Sequence, residues 1–141
     1  MVKVFVEGGG DSNDLKTACR KGFRTFFENA GIKRPHQPTI VACGGRQNAF
    51  EDFCTALRNG DDAFLLVDSE ESVATALQPK DAEGRDDLDK WLPWIHLAQR
   101  RGDGWVKPAN ATDLQCHLMA ECMESWFLAD REELTIFFGQ G

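Results

Sequence analysis

Acidic side chains and glycines follow the first apolar run of this sequence. Residues 3–14 read KVFVEGGGDSND, so Glu7 ends an apolar run and Asp11 follows four residues later, beyond three glycines. Glycine adopts backbone conformations closed to other residues, and the GGG segment would let the chain fold back so that both acids face one ion. A second stretch, LLVDSEES, places Asp68 and Glu70 directly after another apolar run. Clustered carboxylates repel one another and are usually compensated by hard divalent cations, so these acids predict a Mg²⁺ or Mn²⁺ site.

The same residues also have plain structural interpretations. Either Asp11 or Ser12 could be the N-cap of the helix that follows. Asp68 and Glu70 could simply form a polar turn. Glu7 is harder to explain in this way, because an ionised side chain beside a buried strand needs a partner.

Apolar patterning indicates which elements position the acids. Three short apolar runs, at residues 2–6, 39–43 and 63–67, are typical of strands covered on both faces. Helical spacing of apolar residues over 15–30 and 50–57 indicates two amphipathic helices between them. This order predicts βαβ crossovers, and we expect an α/β, Rossmann-like three-layer sandwich with a mostly parallel central sheet of about four strands flanked by helices. In such a sheet the acids converge at the carboxyl edge, where ligands bind.

The remaining chain is less clearly patterned. We expect a single domain over residues 1–141, with 70–112 as an insert-like region that contains a short helix starting or kinking at Pro93. Residues 116–123 are a candidate fourth strand, and a helix should begin near Glu124. The ending FFGQG leaves open a longer natural chain.

Composition bounds the partners and the compartment. The formal charge is −7, so contact with nucleic acid requires a local basic patch or bound cations. Five cysteines without C-x-x-C spacing are typical of buried thiols in a reducing compartment, which favours the cytoplasm. The first residues, MVKVFVEGG, predict neither secretion nor membrane insertion.

Basic side chains are candidate phosphate ligands. Lys16, Arg20 and Arg24 recur every four residues on the polar face of the first helix, and Arg46 lies in the GGRQN turn after the second strand. They could guide a phosphate backbone to the acids. A solvated helix face and an ordinary helix start remain the alternatives. The glycine-rich segment matches neither nucleotide-binding loop, G-x-x-x-x-G-K-[ST] or G-x-G-x-x-G.

VFVEGGGD, followed some sixty residues later by LLVDSEES, resembles the Toprim domain of topoisomerases, primases and nucleases of the overcoming-lysogenization-defect type. AECMESWFLAD is similar to a segment of small prokaryotic Toprim-like proteins encoded beside ATPases of the ABC or SMC type. The resemblance implies that Glu7, Asp68 and Glu70 are catalytic and that, with Asp11, they hold Mg²⁺ or Mn²⁺. Glu70 departs from the family pattern, which has aspartate there, and Glu121 or Glu124 could join the acidic edge.

The resemblance implies a metal-dependent nuclease that works with such an ATPase, in phage defence or DNA repair, on DNA rather than RNA. Two cations could stabilise the attacking and leaving oxygens of a phosphodiester displacement. In a one-cation version Glu7 would act as general base or acid. The alternative is a non-catalytic Toprim-like subunit that docks the ATPase, and a homodimer is a further assembly to test.

Overall fold

The structure, a computed structural model, describes residues 1–119 of the 141-residue chain. Its sheet contains four parallel strands, β1 (Lys3–Glu7), β2 (Thr39–Gly44), β3 (Ala63–Asp68) and β4 (Cys116–Met119). The strand order is β2-β1-β3-β4. The predicted parallel α/β sheet is therefore confirmed.

Three α-helices accompany the strands: α1 (Asn13–Asn29), α2 (Arg46–Arg58) and α3 (Pro93–Gln99). Ser12 is the N-cap of α1, because its side chain accepts a hydrogen bond from the Leu15 amide at 3.2 Å. The proposal that Asp11 caps this helix is thereby wrong. Pro93 is the first residue of α3, a position that needs no amide donor.

The helices cover both faces of the sheet. On one face, Phe23 of α1 packs with Val6, Ile40 and Met119. On the other face, Phe53 of α2 packs with a larger group that also includes side chains of α3 and of the segment after it. That group contains Phe5, Leu65, Val67, Trp94, Leu97 and Trp105. The three-layer sandwich is confirmed, and the tryptophans at 94 and 105 serve as core residues.

The order of the strands creates a crevice at the carboxyl edge. After β1 the chain passes through α1 to β2 on one side, whereas β3 lies on the other side of β1 and is reached through α2. The crevice between the carboxyl ends of β1 and β3 is therefore the switch point at which open α/β sheets bind ligands.

Two sequence-based predictions end at the limit of the described residues. The fourth strand, expected over 116–123, is confirmed as far as Met119. Glu121, Glu124 and the helix expected near Glu124 lie outside the described residues. Within residues 1–119, no helix has the length and apolar character needed to cross a membrane.

Candidate functional site

Three of the four predicted acidic ligands meet at the crevice. Glu7 is the last residue of β1 and Asp68 is the last residue of β3. One carboxylate oxygen from each of Glu7, Asp68 and Glu70 lies within 4.8 Å of the others, and we call these three residues the carboxylate cluster. The Asp68 amide donates to Glu7 Oε2 at 3.1 Å, which ties the two strand ends together.

Glu70 enters the carboxylate cluster through an unusual backbone conformation. Its φ of 63° makes it the one non-glycine residue with positive φ in the described part of the chain. The preceding residue, Ser69, is fully buried, and its carbonyl oxygen lies 2.9 Å from Nε2 of the buried His96. Because a carbonyl can only accept, this contact requires the proton on Nε2. A fixed Ser69 followed by a left-handed Glu70 turns the second acid back toward the first, and such strain is found preferentially at functional sites.

Asp11 lies outside the carboxylate cluster. The three glycines have φ values of 134°, 86° and 52°, and Gly8 pairs with Gly44 through two 2.9 Å backbone hydrogen bonds. The loop therefore turns toward β2, and Asp11 Oδ1 lies near Gly44, 3.6 Å from where a Cβ would stand. Since β2 and β3 flank β1 on opposite sides, this conformation carries Asp11 away from β3.

Arg46 reaches the carboxylate cluster from the start of α2. Its Nη1 donates to Glu7 Oε2 at 2.9 Å and also to the carbonyl oxygen of Asp68. The side chain is 13% exposed and that of Glu7 is 17% exposed. Arg46 was predicted as a phosphate ligand, and the structure adds that it is an internal counter-charge for Glu7.

Three residues that the sequence did not single out hold Arg46 in place. Asp103 accepts from Nε at 2.8 Å and from Nη2 at 2.7 Å, a paired geometry, and its side chain is only 4% exposed. Arg100 also contacts Asp103, at 2.9 Å. Trp105 lies under the Arg46 guanidinium at 5.0 Å and stacks on Phe50. The insert-like region 70–112 thus supplies part of the site.

The electrostatics favour ionised groups throughout this network. Burial alone would raise the pKa of Asp103, but the hydrogen bonds and positive charges of Arg46 and Arg100 outweigh it and hold that pKa below its ordinary value. Burial likewise opposes the charge of Arg46, yet Asp103 and Glu7 raise its pKa. Formal charges of the four acids and two arginines around the crevice total −2 (Glu7, Asp68, Glu70, Asp103, Arg46 and Arg100).

The donor set fits a hard divalent cation. Oxygen ligands about 2.1 Å from Mg²⁺ are at most about 4.2 Å apart, so separations within 4.8 Å need only small side-chain rotations. Glu7 Oε1 accepts no hydrogen bond from residues 1–119 and is available as a ligand atom. The residual charge of −2 has the magnitude that one divalent cation neutralises.

Comparison with known proteins places this site in a family. The model of the family described as Domain of unknown function (DUF4276) matches residues 6–139. The chain belongs to this DUF4276 family. Searches of curated proteins and of solved structures each found no significant match. The DUF4276 segment includes the carboxylate cluster together with Arg46 and Asp103.

The predicted basic stripe of the DUF4276 chain starts beside the site. Lys16 and Arg20 are partly exposed and Arg24 is exposed. The Cα of Lys16 lies against Gly9 of the glycine loop, 3.0 Å from where a Cβ would stand. From Lys16 to Arg24 the stripe extends about 12 Å along α1, away from the carboxyl edge.

Proposed function

We propose that this DUF4276 protein is a divalent-cation-dependent phosphodiesterase acting on nucleic acid, with Glu7, Asp68 and Glu70 as its metal-binding residues. The observation that carries the proposal is the position of three carboxylates, within 4.8 Å of one another, at the switch-point crevice. The Toprim resemblance of the two acidic motifs supports the same chemistry. We take Mg²⁺ or Mn²⁺ as the cofactor because the donors are all carboxylate oxygens.

The residues at the crevice divide the work. Asp68 and Glu70, two residues apart on one strand end, would hold the cation with Oε1 of Glu7. When bound, the cation supplies Lewis-acid polarisation of a phosphoryl oxygen. Arg46 places a guanidinium beside these ligands, where it can bind a non-bridging phosphate oxygen. Asp11, turned toward β2, favours the version with one cation.

The proposed setting is the cytoplasm, with DNA as the preferred substrate and an ABC- or SMC-type ATPase as partner. The compartment is supported by the four cysteines among residues 1–119, which are all free thiols. The partner, a role in phage defence or DNA repair, and a homodimer rest on the Toprim resemblance alone.

A second candidate is a non-catalytic subunit that docks the ATPase. The observation in its favour is the ion pair between Arg46 and Glu7, because a protein cation already neutralises one of the three carboxylates. The glutamate at position 70, where the Toprim pattern has aspartate, points the same way. This candidate predicts neither cleavage nor a stability response to metal.

A cleavage assay separates the two candidates. Purified chain is incubated with supercoiled plasmid and with labelled single-stranded DNA, in Mg²⁺, in Mn²⁺ and in EDTA. We expect nicking or degradation in both metals and none in EDTA, at a low rate because the acidic protein binds its substrate weakly. Inactivity with every metal, with and without the ATPase, would contradict the phosphodiesterase and favour the docking subunit.

A further inference from the structure

The charges of this protein are strongly segregated. Residues 16–36 contain six lysines and arginines and one acid, a formal charge of +5. The rest of the chain, with ten cations and 22 acids, carries −12. The segment comprises most of α1 and the loop that leads to β2. We call its six cations the basic surface: Lys16, Arg20, Lys21, Arg24, Lys33 and Arg34.

The basic surface differs from the other cations in its partners. Within residues 1–119, none of the six forms an ion pair, whereas seven of the nine remaining lysines and arginines do so. An acidic protein thus pairs its cations internally nearly everywhere except here. Six unpaired cations on one segment repel one another, which a bound polyanion would relieve.

A cavity of about 360 Å³ lies at one end of this surface. Arg24 from α1 and Arg34 from the following loop both line it, and no acid does. Gln37 donates to the Arg24 carbonyl oxygen at 3.4 Å, which ties the loop to the helix. Thr39, another lining residue, pairs with Lys3 at the amino end of the sheet. Because four strand steps separate Lys3 from Glu7, the cavity is about 13 Å or more from the carboxylate cluster.

We propose that this cavity is a phosphate-binding cleft and that the basic surface holds the backbone of a nucleic acid strand. Arg24 and Arg34 would grip one phosphate from two sides with planar guanidinium groups, which suit phosphate oxygens. Arg20 and Lys16 follow at intervals of about 6 Å along α1 and lead to the glycine loop beside the carboxylate cluster. A line of cations that starts in a cleft fits a linear phosphodiester chain.

Binding at the cleft lies outside the carboxylate cluster and does not depend on cleavage, although delivery of a strand to that cluster rests on the proposed function. Binding is therefore measured in EDTA, where the proposed cleavage cannot occur. A failure to bind would overturn the cleft, and a failure to cleave in metal would overturn the phosphodiesterase.

The test compares two double variants with equal charge. The full-length variant Arg24→Gln/Arg34→Gln removes the cleft cations. The control variant Arg58→Gln/Arg101→Gln removes two exposed arginines that form no ion pair with the described residues but lie outside the basic surface. Fluorescence anisotropy of a labelled 20-nucleotide single strand is recorded over a salt series, and circular dichroism checks that each variant is folded.

The expected result is about tenfold weaker binding for the cleft variant and less than a twofold change for the control. The slope of log K against log salt should also become shallower by about 1.4 for the cleft variant, since each lost phosphate contact on a single strand is worth about 0.7. Equal losses in both variants, or no loss in either, would overturn the proposal.

Competitors identify the ligand chemistry. A phosphodiester oligomer should displace the labelled strand, and poly-glutamate of equal charge should displace it at least about tenfold less well, because carboxylates do not match a phosphate cleft. Equal competition by poly-glutamate would overturn the assignment to phosphate. Tighter binding to phosphatidylserine vesicles than to the oligonucleotide would overturn the assignment to nucleic acid.

Discussion

Replacing Asp68 by asparagine should lower metal-dependent cleavage at least about 100-fold while leaving the metal-free protein at least as stable as wild type. Loss of an outer partner of a metal ligand alone costs about 10- to 100-fold, so loss of a ligand should cost more. Two like charges about 5 Å apart repel by about 3 kcal/mol at an effective dielectric of about 20, before screening. Asparagine keeps the shape of Asp68 and removes that repulsion.

Thermal melts separate this expectation from a purely structural role. Metal at a hundredfold excess over its dissociation constant adds about 2.7 kcal/mol to the free energy of unfolding of a protein that binds it. The Asp68→Asn variant should lose much of this gain, whereas a Glu71→Gln control, outside the carboxylate cluster, should keep it. A variant that is markedly less stable in EDTA, or that gains as much from metal as wild type, would make Asp68 a structural turn residue.

Replacing Asp103 by alanine should lower the free energy of unfolding by about 3–5 kcal/mol. Its side chain is 4% exposed and accepts from two nitrogens of Arg46 and from Arg100, so its removal leaves partly buried positive charges without their acceptor. The matched control is Asp113→Ala. Asp113 pairs with Lys107, and because these side chains are 33% and 41% exposed, that loss should cost at most about 1 kcal/mol. Urea unfolding of both variants decides; equal costs would contradict a structural role for the buried pair.

The Asp103 contribution should also depend on pH with a defined sign. Because its folded-state pKa is lowered, its stabilisation is present above the unfolded-state pKa of about 3.9 and is lost as the pH falls through the lower folded-state value. The stability difference between wild type and Asp103→Asn should therefore be constant near neutral pH and shrink below about pH 4. A difference that stays constant down to pH 2 would show that Asp103 does not stabilise through its charge.

The sheet and two of its acids could be predicted because local patterns determine them. Continuously apolar strands alternating with amphipathic helices require a covered parallel sheet, and such a sheet brings its carboxyl ends to one edge. Glu7 and Asp68 therefore had to lie near each other, as their hydrogen bond at 3.1 Å confirms. Pattern alone could not foresee that Glu70 joins them, because that depends on one left-handed residue.

The glycine loop shows where the same reasoning stopped. Three glycines permit many conformations, and the prediction that the chain folds back over Glu7 used only one of them. The loop instead pairs with Gly44 of β2, where a Cβ would come within 2.7 Å of the Gly10 carbonyl oxygen. That contact joins residues more than thirty positions apart, and no local pattern encodes it.

The support of Arg46 is the other feature beyond the reach of local patterns. Arg46 and Asp103 are 57 residues apart, and Asp103 lies in a polar segment whose spacing indicates no element. The only sequence signal is the adjacent Trp105, an aromatic residue in that polar stretch. In the structure it packs against Phe50 and beneath Arg46, so the core and the site share one side chain.

Titration of the metal-free protein with Mn²⁺, followed by the electron paramagnetic resonance signal of the free ion, tests the carboxylate cluster most directly. Wild type, Glu70→Gln and Glu71→Gln are compared, because the two neighbouring glutamates are both exposed and only Glu70 belongs to the carboxylate cluster. A metal site at the crevice predicts saturable binding by wild type, an unchanged affinity for Glu71→Gln and at least about tenfold weaker binding for Glu70→Gln. Equal affinities for the two variants, or no saturable binding by wild type up to about 10 mM Mn²⁺, would contradict it.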